Sequence, residues 1–346
     1  MNTLEDTLPH KKGSVVYSLA AYLTKVLAVI TRGKFSGSAA EFVPAFPDMQ
    51  RFVESGGALT EMSLDAQMSL DPAFKNVTVQ DHSIPRSSIQ ISARSYLPQG
   101  KPQAAFVWIH GGAFIAGDLN SPETHWFSLV LASKGIAVIA LDYRKAVKGA
   151  HYPIPFEDCV AGWDWAVANS NELLGVPAEM LQLGGASAGG NLAAAVSKKL
   201  RDRADAIQPK SVVLAYPWLH SEAVPWPADE LAQLRADAGG LFFEPQDLTD
   251  MSHNYAGRKS ILQDPYAFPP NGDLRGLPPT FIVNAEFDTI RASGEAYGRS
   301  LLEAGNEVQV VTDLGTTHAI LASPLNPAAR ISTQRIADWL LQATYS

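Results

Sequence analysis

Gly184-Gly185-Ala186-Ser187-Ala188-Gly189-Gly190, with Leu181-Gln182-Leu183 before it and Asn191-Leu192-Ala193-Ala194-Ala195-Val196 after it, is the stretch on which the fold turns. It contains G-x-S-x-G from Gly185 to Gly189. That pattern puts a serine on a sharp strand-to-helix bend, where small neighbours two residues to either side let the backbone fold back. By composition alone the pattern is weak, since roughly one chain of this length in ten holds it by chance. Context strengthens it: 181–183 reads as a buried strand and 191–200 as a helix. The competing reading is a glycine-rich phosphate cradle. A Walker-type loop would want Lys before Ser or Thr, and the G-x-G-x-x-G fingerprint is missing at this turn.

Outward from this turn, short apolar runs alternate with helical stretches. The runs are Ala104–Ile109, Ile136–Leu141, Met180–Leu183, Val212–Tyr216 and Thr280–Val283. Continuous apolar runs of this length fit strands buried on both faces of a parallel sheet. Helices are expected at Glu123–Ser133, Phe156–Asn169, Gly190–Arg203 and Arg291–Ala304, then a last strand at Glu307–Asp313 and a last helix at Pro327–Leu341. Ile89–Leu97 alternates like a half-exposed strand. The pattern predicts an α/β fold, a mostly parallel central sheet with helices on both faces. Residues 71–216 and 277–346 form the expected core. Residues 1–70, broken by Pro44, Pro47, Gly56 and Gly57, and 217–276, rich in Pro, Trp and charge, are expected to form a helical cap. In such sheets the ligand crevice lies beyond the carboxyl ends of the strands, so a cap there would cover a binding site.

His110-Gly111-Gly112-Ala113-Phe114 directly follows the run Phe106-Val107-Trp108-Ile109. Acyl transfer puts negative charge on a carbonyl oxygen. Backbone N–H groups aimed at that oxygen stabilise it, and losing one donor costs about 3 kcal/mol. The N–H groups of Gly111, Gly112 and Ala188 are the expected donors. Alone, the glycine pair would be an ordinary turn; upstream of the serine bend it gains meaning. His110 is expected to brace its loop, not to act as a base.

A serine hydroxyl needs a base. Only His220, His253 and His318 follow Ser187, and the first two fall in the expected cap. His318 follows the last strand, and Asp288 follows the strand Thr280–Val283, giving the order Ser, acid, His. The expected catalytic set is Ser187, Asp288 and His318, with Glu286 the runner-up acid. Phe114 and Trp218 are candidates for the substrate pocket.

These motifs, with Leu141-Asp142-Tyr143-Arg144, Gly190-Asn191-Leu192-Ala193, Tyr216-Pro217 and Ala285-Glu286-Phe287-Asp288, resemble the hormone-sensitive-lipase-like family of α/β-hydrolases, its capped bacterial carboxylesterases in particular. The resemblance spans about 75–340. It implies a nucleophile at Ser187, an acid at Asp288, a base at His318, and oxyanion donors in the glycine pair and at Ala188. It also implies short- to medium-chain ester substrates and makes a homodimer a candidate assembly. The sequence departs from the family at Ala186, where Asp is usual, and at Lys145-Ala146-Val147-Lys148, where Leu-Ala-Pro-Glu is usual. It departs again at Ala319-Ile320 after the histidine and at Thr289-Ile290-Arg291 after the acid. None of these removes a catalytic group, but the loop after Arg144 lines the pocket in relatives.

The expected activity is a serine carboxylesterase acting on a small-molecule ester with neither cofactor nor metal. A lactone, amide or carbamate hydrolase with the same triad is the alternative, and a non-catalytic small-molecule receptor on the same fold a third reading. Net charge is −8, from 27 basic and 35 acidic residues. That argues against nucleic acid and against an anionic membrane surface, both of which need a basic face. The single cysteine, Cys159, rules out an intrachain disulfide and reads as core packing. Lys11 and Lys12 before the apolar run 15–30 resemble a signal peptide, but Lys25 interrupts the run. An amphipathic helix over an apolar cleft is the expected reading, with a cytoplasmic location; a secreted protein is the alternative.

Overall fold

The computed structural model describes residues 62–86, 89–237 and 242–343. The apolar runs lie side by side in one eight-stranded sheet of order β1-β2-β4-β3-β5-β6-β7-β8. The strands are β1 (Thr78–Arg86), β2 (Ile89–Leu97), β3 (Ala104–Ile109), β4 (Ile136–Asp142), β5 (Leu181–Ala186), β6 (Val212–Ala215), β7 (Thr280–Phe287) and β8 (Val308–Thr317). β1 pairs antiparallel with β2, and β2 antiparallel with β4. Every other pairing is parallel. Every residue of β3, β5 and β6 is buried, which is why these strands read as unbroken apolar runs without alternation.

The helices are α1 (Leu64–Met68), α2 (His125–Ser133), α3 (Ile154–Asn169), α4 (Ala188–Asp202), α5 (Ala228–Asp237), α6 (Pro245–Ala256), α7 (Arg291–Glu303) and α8 (Pro327–Gln342). They divide the core into two layers. On one face α3, α4 and α7 pack with Trp163, Leu192, Val196 and Leu301 over the central strands. On the other, α2 and α8 pack through Trp126, Phe127, Ile336 and Leu340. Fully burying one such side chain is worth roughly 1.5–3 kcal/mol. Cys159 is wholly buried in the first layer, and burial and then the nearby Asp158 push its thiol well above the ordinary range, as suits a packing residue.

Residues 217–276 contain α5, α6 and two short 3₁₀ turns, Lys259–Gln263 and Pro269–Asn271. Trp218, Phe243, Leu248, Met251 and Tyr255 from this segment join the first core layer. The N-terminal part of the expected cap divides differently. Residues 1–61, with the apolar run 15–30, lie outside the described residues. α1, with Met68 and Leu70, packs into the opposite layer beside α2: the Gln67 amide donates to the Met62 and Asn120 carbonyls, and its Oε1 accepts from the Trp126 N–H. No helix of the described residues is long and apolar enough to cross a membrane.

Two histidines make stability pH-dependent. Burial, and then the neighbouring Arg94 charge, push His125 from its ordinary 6.5 down to about 4. Burial does the same to His220, which also reaches about 4. Below pH 6.5 the unfolded chain protonates both while the folded protein holds them neutral. Unfolding therefore takes up protons, and stability falls as pH drops from 6.5 toward 4, by on the order of 2 kcal/mol at pH 5 for His125. Denaturant midpoints at pH 7 and pH 5 test this; a midpoint unchanged at pH 5 would contradict it.

Candidate active site

β5 ends at Ala186 and α4 begins at Ala188, so Ser187 alone makes the bend, with φ +52° and ψ −118°. The turn is tight enough to dictate its glycines. A Cβ on Gly185 would stand 2.2 Å from the Gly189 carbonyl oxygen, and one on Gly189 would stand 2.2 Å from the Ile109 carbonyl oxygen. The first clash falls on the opening turn of α4 and the second on the end of β3, and in both the atom struck is backbone, which no side-chain shift relieves. The N-terminus of the fifteen-residue α4 starts at Ser187, so its partial positive charge faces any negative charge that develops there.

Ser187, Asp288 and His318 come together although they are far apart in the chain. His318 Nε2 lies 3.0 Å from Ser187 Oγ, and His318 Nδ1 lies 2.7 Å from Asp288 Oδ2. Asp288 Oδ1 accepts the Ile290 N–H at 2.9 Å, so both carboxylate oxygens are engaged. All three residues are buried, at 8%, 1% and 6% exposure respectively. Tyr216 and Phe243 each present a ring edge-on to His318 at 5.0 Å and fix its plane. Glu286, the runner-up acid, turns instead to accept the Gly315 N–H at 2.6 Å and braces the end of β8. Of the other two histidines, His220 bonds Ser293 Oγ and His253 lies on α6.

The oxyanion assignment needs one correction. The Gly111 N–H, expected to face the substrate, donates to Glu123 Oε2 at 2.6 Å and is taken. Glu123 Oε1 accepts the Tyr216 hydroxyl at 2.8 Å. The N–H groups of Gly112, Ala113 and Ala188 make no hydrogen bond to any described residue and border the cavity at Ser187. Ala113 therefore stands where Gly111 was expected. Ala113 and Phe114 have φ +54° and +64°, and Gly112 has φ +112°; this left-handed run turns consecutive N–H groups toward one side. The sequence places Glu123 first in a helix, but the helix begins two residues later at His125, and the Glu123 side chain reaches the loop instead.

His110 braces the loop as expected. Its Nδ1 donates to the Gly111 carbonyl at 2.7 Å, and its ring stacks on Tyr143 with centroids 4.6 Å apart. Arg144, next in the chain, donates to Asp158 of α3 from its main chain and guanidinium, which anchors the segment after β4.

The cavity beside Ser187 has a volume of about 60 Å³. Phe114, Trp218, Phe243, Met251 and Ile290 give it apolar walls. Phe114 stacks on Tyr255 of α6 at 3.9 Å, and the Trp218 indole donates to Ser252 Oγ at 2.9 Å, so residues 217–276 hold both expected pocket residues in place. Phe243 is one of the apolar residues that the sequence offers in the expected cap, whereas nothing in the sequence marks Met251 and Ile290 as pocket residues. Among the described residues no cluster of His, Cys, Asp or Glu could hold a metal ion.

A hydroxyl on a strained bend, an imidazole within hydrogen-bond reach, a buried carboxylate behind it and unpartnered N–H donors beside it define a serine hydrolase. Residues 106–322 match the family model described as alpha/beta hydrolase fold. The chain belongs to that family, in its hormone-sensitive-lipase-like branch. It is 29% identical to an ethyl acetate hydrolase of Pseudomonas putida over 87% of this chain and 90% of that one. Among solved structures it resembles a hyperthermophilic esterase from the archaeon Pyrobaculum calidifontis, with a TM-score of 0.72, 26% identity, and coverage of 94% and 98% of the two chains. EstE1, a thermostable carboxylesterase from a metagenomic library, matches with a TM-score of 0.71, 28% identity, and coverage of 86% and 97%.

Proposed function

We propose that the protein is a serine carboxylesterase that cleaves small-molecule esters of short-chain acids through an acyl-enzyme. The observation that carries this reading is the continuous hydrogen-bonded line from Asp288 through His318 to Ser187, ending at a cavity bordered by unpartnered N–H groups. His318 Nε2 takes the proton from Ser187 Oγ as the oxygen attacks the acyl carbon. The carbonyl oxygen becomes negative against the N–H groups of Gly112, Ala113 and Ala188. His318 returns the proton to the departing alcohol, the tetrahedral centre collapses, and Ser187 carries the acyl group. Water, deprotonated by the same imidazole, attacks the acyl carbon; the acid leaves and Ser187 regains its proton.

The cavity volume favours the short end of the acyl range. A water needs about 10–15 Å³ of such space, so about 60 Å³ holds only a few atoms beyond the carbonyl. Turnover of p-nitrophenyl acetate, butyrate, octanoate and palmitate tests this. Acetate or butyrate should be fastest, with a fall of about tenfold or more by palmitate; a maximum at palmitate would contradict it. Matched lactone and amide substrates complete the comparison, and faster turnover of either than of the ester would replace the ester reading. A fluorophosphonate probe should label Ser187; a folded protein that never labels would favour the receptor reading.

A further inference from the structure

The oxyanion loop is held by a side chain that the reaction above does not use. Lys145 stands just after Asp142-Tyr143-Arg144, where the sequence leaves its family pattern, and its side chain is only 15% exposed. An ammonium has three N–H donors. Those of Lys145 meet three acceptors: Asp142 Oδ1, the Tyr143 carbonyl at 2.7 Å, and His110 Nε2 at 3.0 Å. The aliphatic chain carries the ammonium over the Tyr143 ring, 4.5 Å from its centroid. The site is complete without water.

A ring nitrogen that accepts from an ammonium carries no proton. His110 must then be protonated on Nδ1, which is the nitrogen facing the Gly111 carbonyl at 2.7 Å. That carbonyl shares a planar peptide with the Gly112 N–H, on the opposite edge because the peptide is trans. Whatever holds the Gly111 oxygen therefore aims the Gly112 donor. The preceding peptide is pinned independently: the Tyr143 hydroxyl donates to the His110 carbonyl at 3.3 Å, and Glu123 accepts the Gly111 N–H. Gly117 is shaped to allow this arrangement, since a Cβ there would stand 2.5 Å from His110 Nδ1 and 2.6 Å from the Gly111 oxygen.

We propose that Lys145 is a positioning residue for ester hydrolysis: by donating to His110 Nε2 it fixes the Nδ1–H tautomer that holds the Gly111–Gly112 peptide and aims the Gly112 N–H at the oxyanion. The proposal rests on the hydrolase reading above. Without the ammonium, His110 Nε2 is left beside Asp142 Oδ1 at 3.4 Å, an acceptor that favours a proton on Nε2. In a neutral ring that proton comes from Nδ1, whose lone pair would then face the Gly111 oxygen, and the peptide would turn away.

The test is Lys145→Met, which keeps the length and the apolar packing. Losing an oxyanion donor outright costs about 10²–10³ in kcat, so misaiming one should lower kcat by about tenfold to a hundredfold with KM nearly unchanged. In a His110→Phe background the same substitution should cost nothing further, because its route is gone. Long-range ¹⁵N–¹H correlation of histidine-labelled wild-type protein should show His110 protonated on Nδ1, and the Lys145→Met protein should show the proton on Nε2. A folded Lys145→Met enzyme with wild-type kcat, an undiminished loss in the His110→Phe background, or an Nε2–H tautomer in the wild type would each overturn the proposal. The tautomer is read without turnover, so this failure is separable from failure of the hydrolase reading, which is judged by Ser187→Ala.

Discussion

Replacing Ser187 with alanine is expected to lower kcat for p-nitrophenyl butyrate by about a millionfold while the protein stays folded, because the acyl-enzyme has no oxygen on which to form. Substrate binding should change little, since the apolar walls and the N–H donors do not depend on the hydroxyl. Glycine at the same position should be equally inactive but more stable than alanine. At φ +52° and ψ −118° any Cβ is strained, and such strain costs on the order of 1–3 kcal/mol. Glycine removes it, while its looser unfolded chain gives back about 0.4–1 kcal/mol. The balance is a gain of about 1 kcal/mol for Ser187→Gly over Ser187→Ala. Chemical denaturation of the two inactive variants reads this difference directly. Turnover in Ser187→Ala at about a hundredth of wild type or more would remove Ser187 from the chemistry. Equal stability of the two variants would mean that the bend is not where the strain lies. The same backbone geometry that presents the nucleophile would thus be a cost to the fold.

The central strands and the serine bend were legible in the sequence because burial on both faces leaves only apolar residues. β3 runs from Ala104 to Ile109 with every position buried, and β5 and β6 are buried throughout in the same way. β1 was not foreseen: of Thr78–Arg86 only Ile84 is buried, and Pro85 lies within it, so neither an apolar run nor an alternation marks it. It is a strand because it pairs along its length with β2, a non-local cause. α5 has a similar history, with Leu234 its one buried residue. The triad was legible because each member follows a strand that was itself legible. Which of three consecutive N–H groups faces the substrate was not, because Glu123, twelve positions away, decides it by capturing Gly111. Sequence spacing carries no information about which way a peptide plane is turned. In this protein those planes are set by side chains that spacing does not single out, Glu123 and Lys145 among them.

Asp288→Asn should lower kcat by about 10⁴-fold without disturbing the fold, and the reason lies in Ile290. An asparagine at 288 could keep His318 active only by turning its oxygen toward Nδ1–H. Its amide nitrogen would then face the Ile290 N–H, which now donates to Oδ1 at 2.9 Å, and two donors would meet in a buried site. The lower-energy arrangement leaves the oxygen on Ile290 and points the amide N–H at His318 Nδ1. Nδ1 must then accept, the proton moves to Nε2, and Nε2 can no longer take one from Ser187 Oγ at 3.0 Å. The loss should fall on kcat, because the cavity that binds the ester is untouched. Ile290→Pro would remove the competing N–H but also the first turn's fit ahead of α7, so the cleaner control is Asp288→Ala. It deletes both the orientation and the charge without imposing a tautomer. If the imposed tautomer dominates, Asp288→Asn should be at least as slow as Asp288→Ala, although asparagine is the closer isostere. Steady-state kinetics of the pair decide the matter: an asparagine variant within about tenfold of wild type would show that Asp288 does not orient His318.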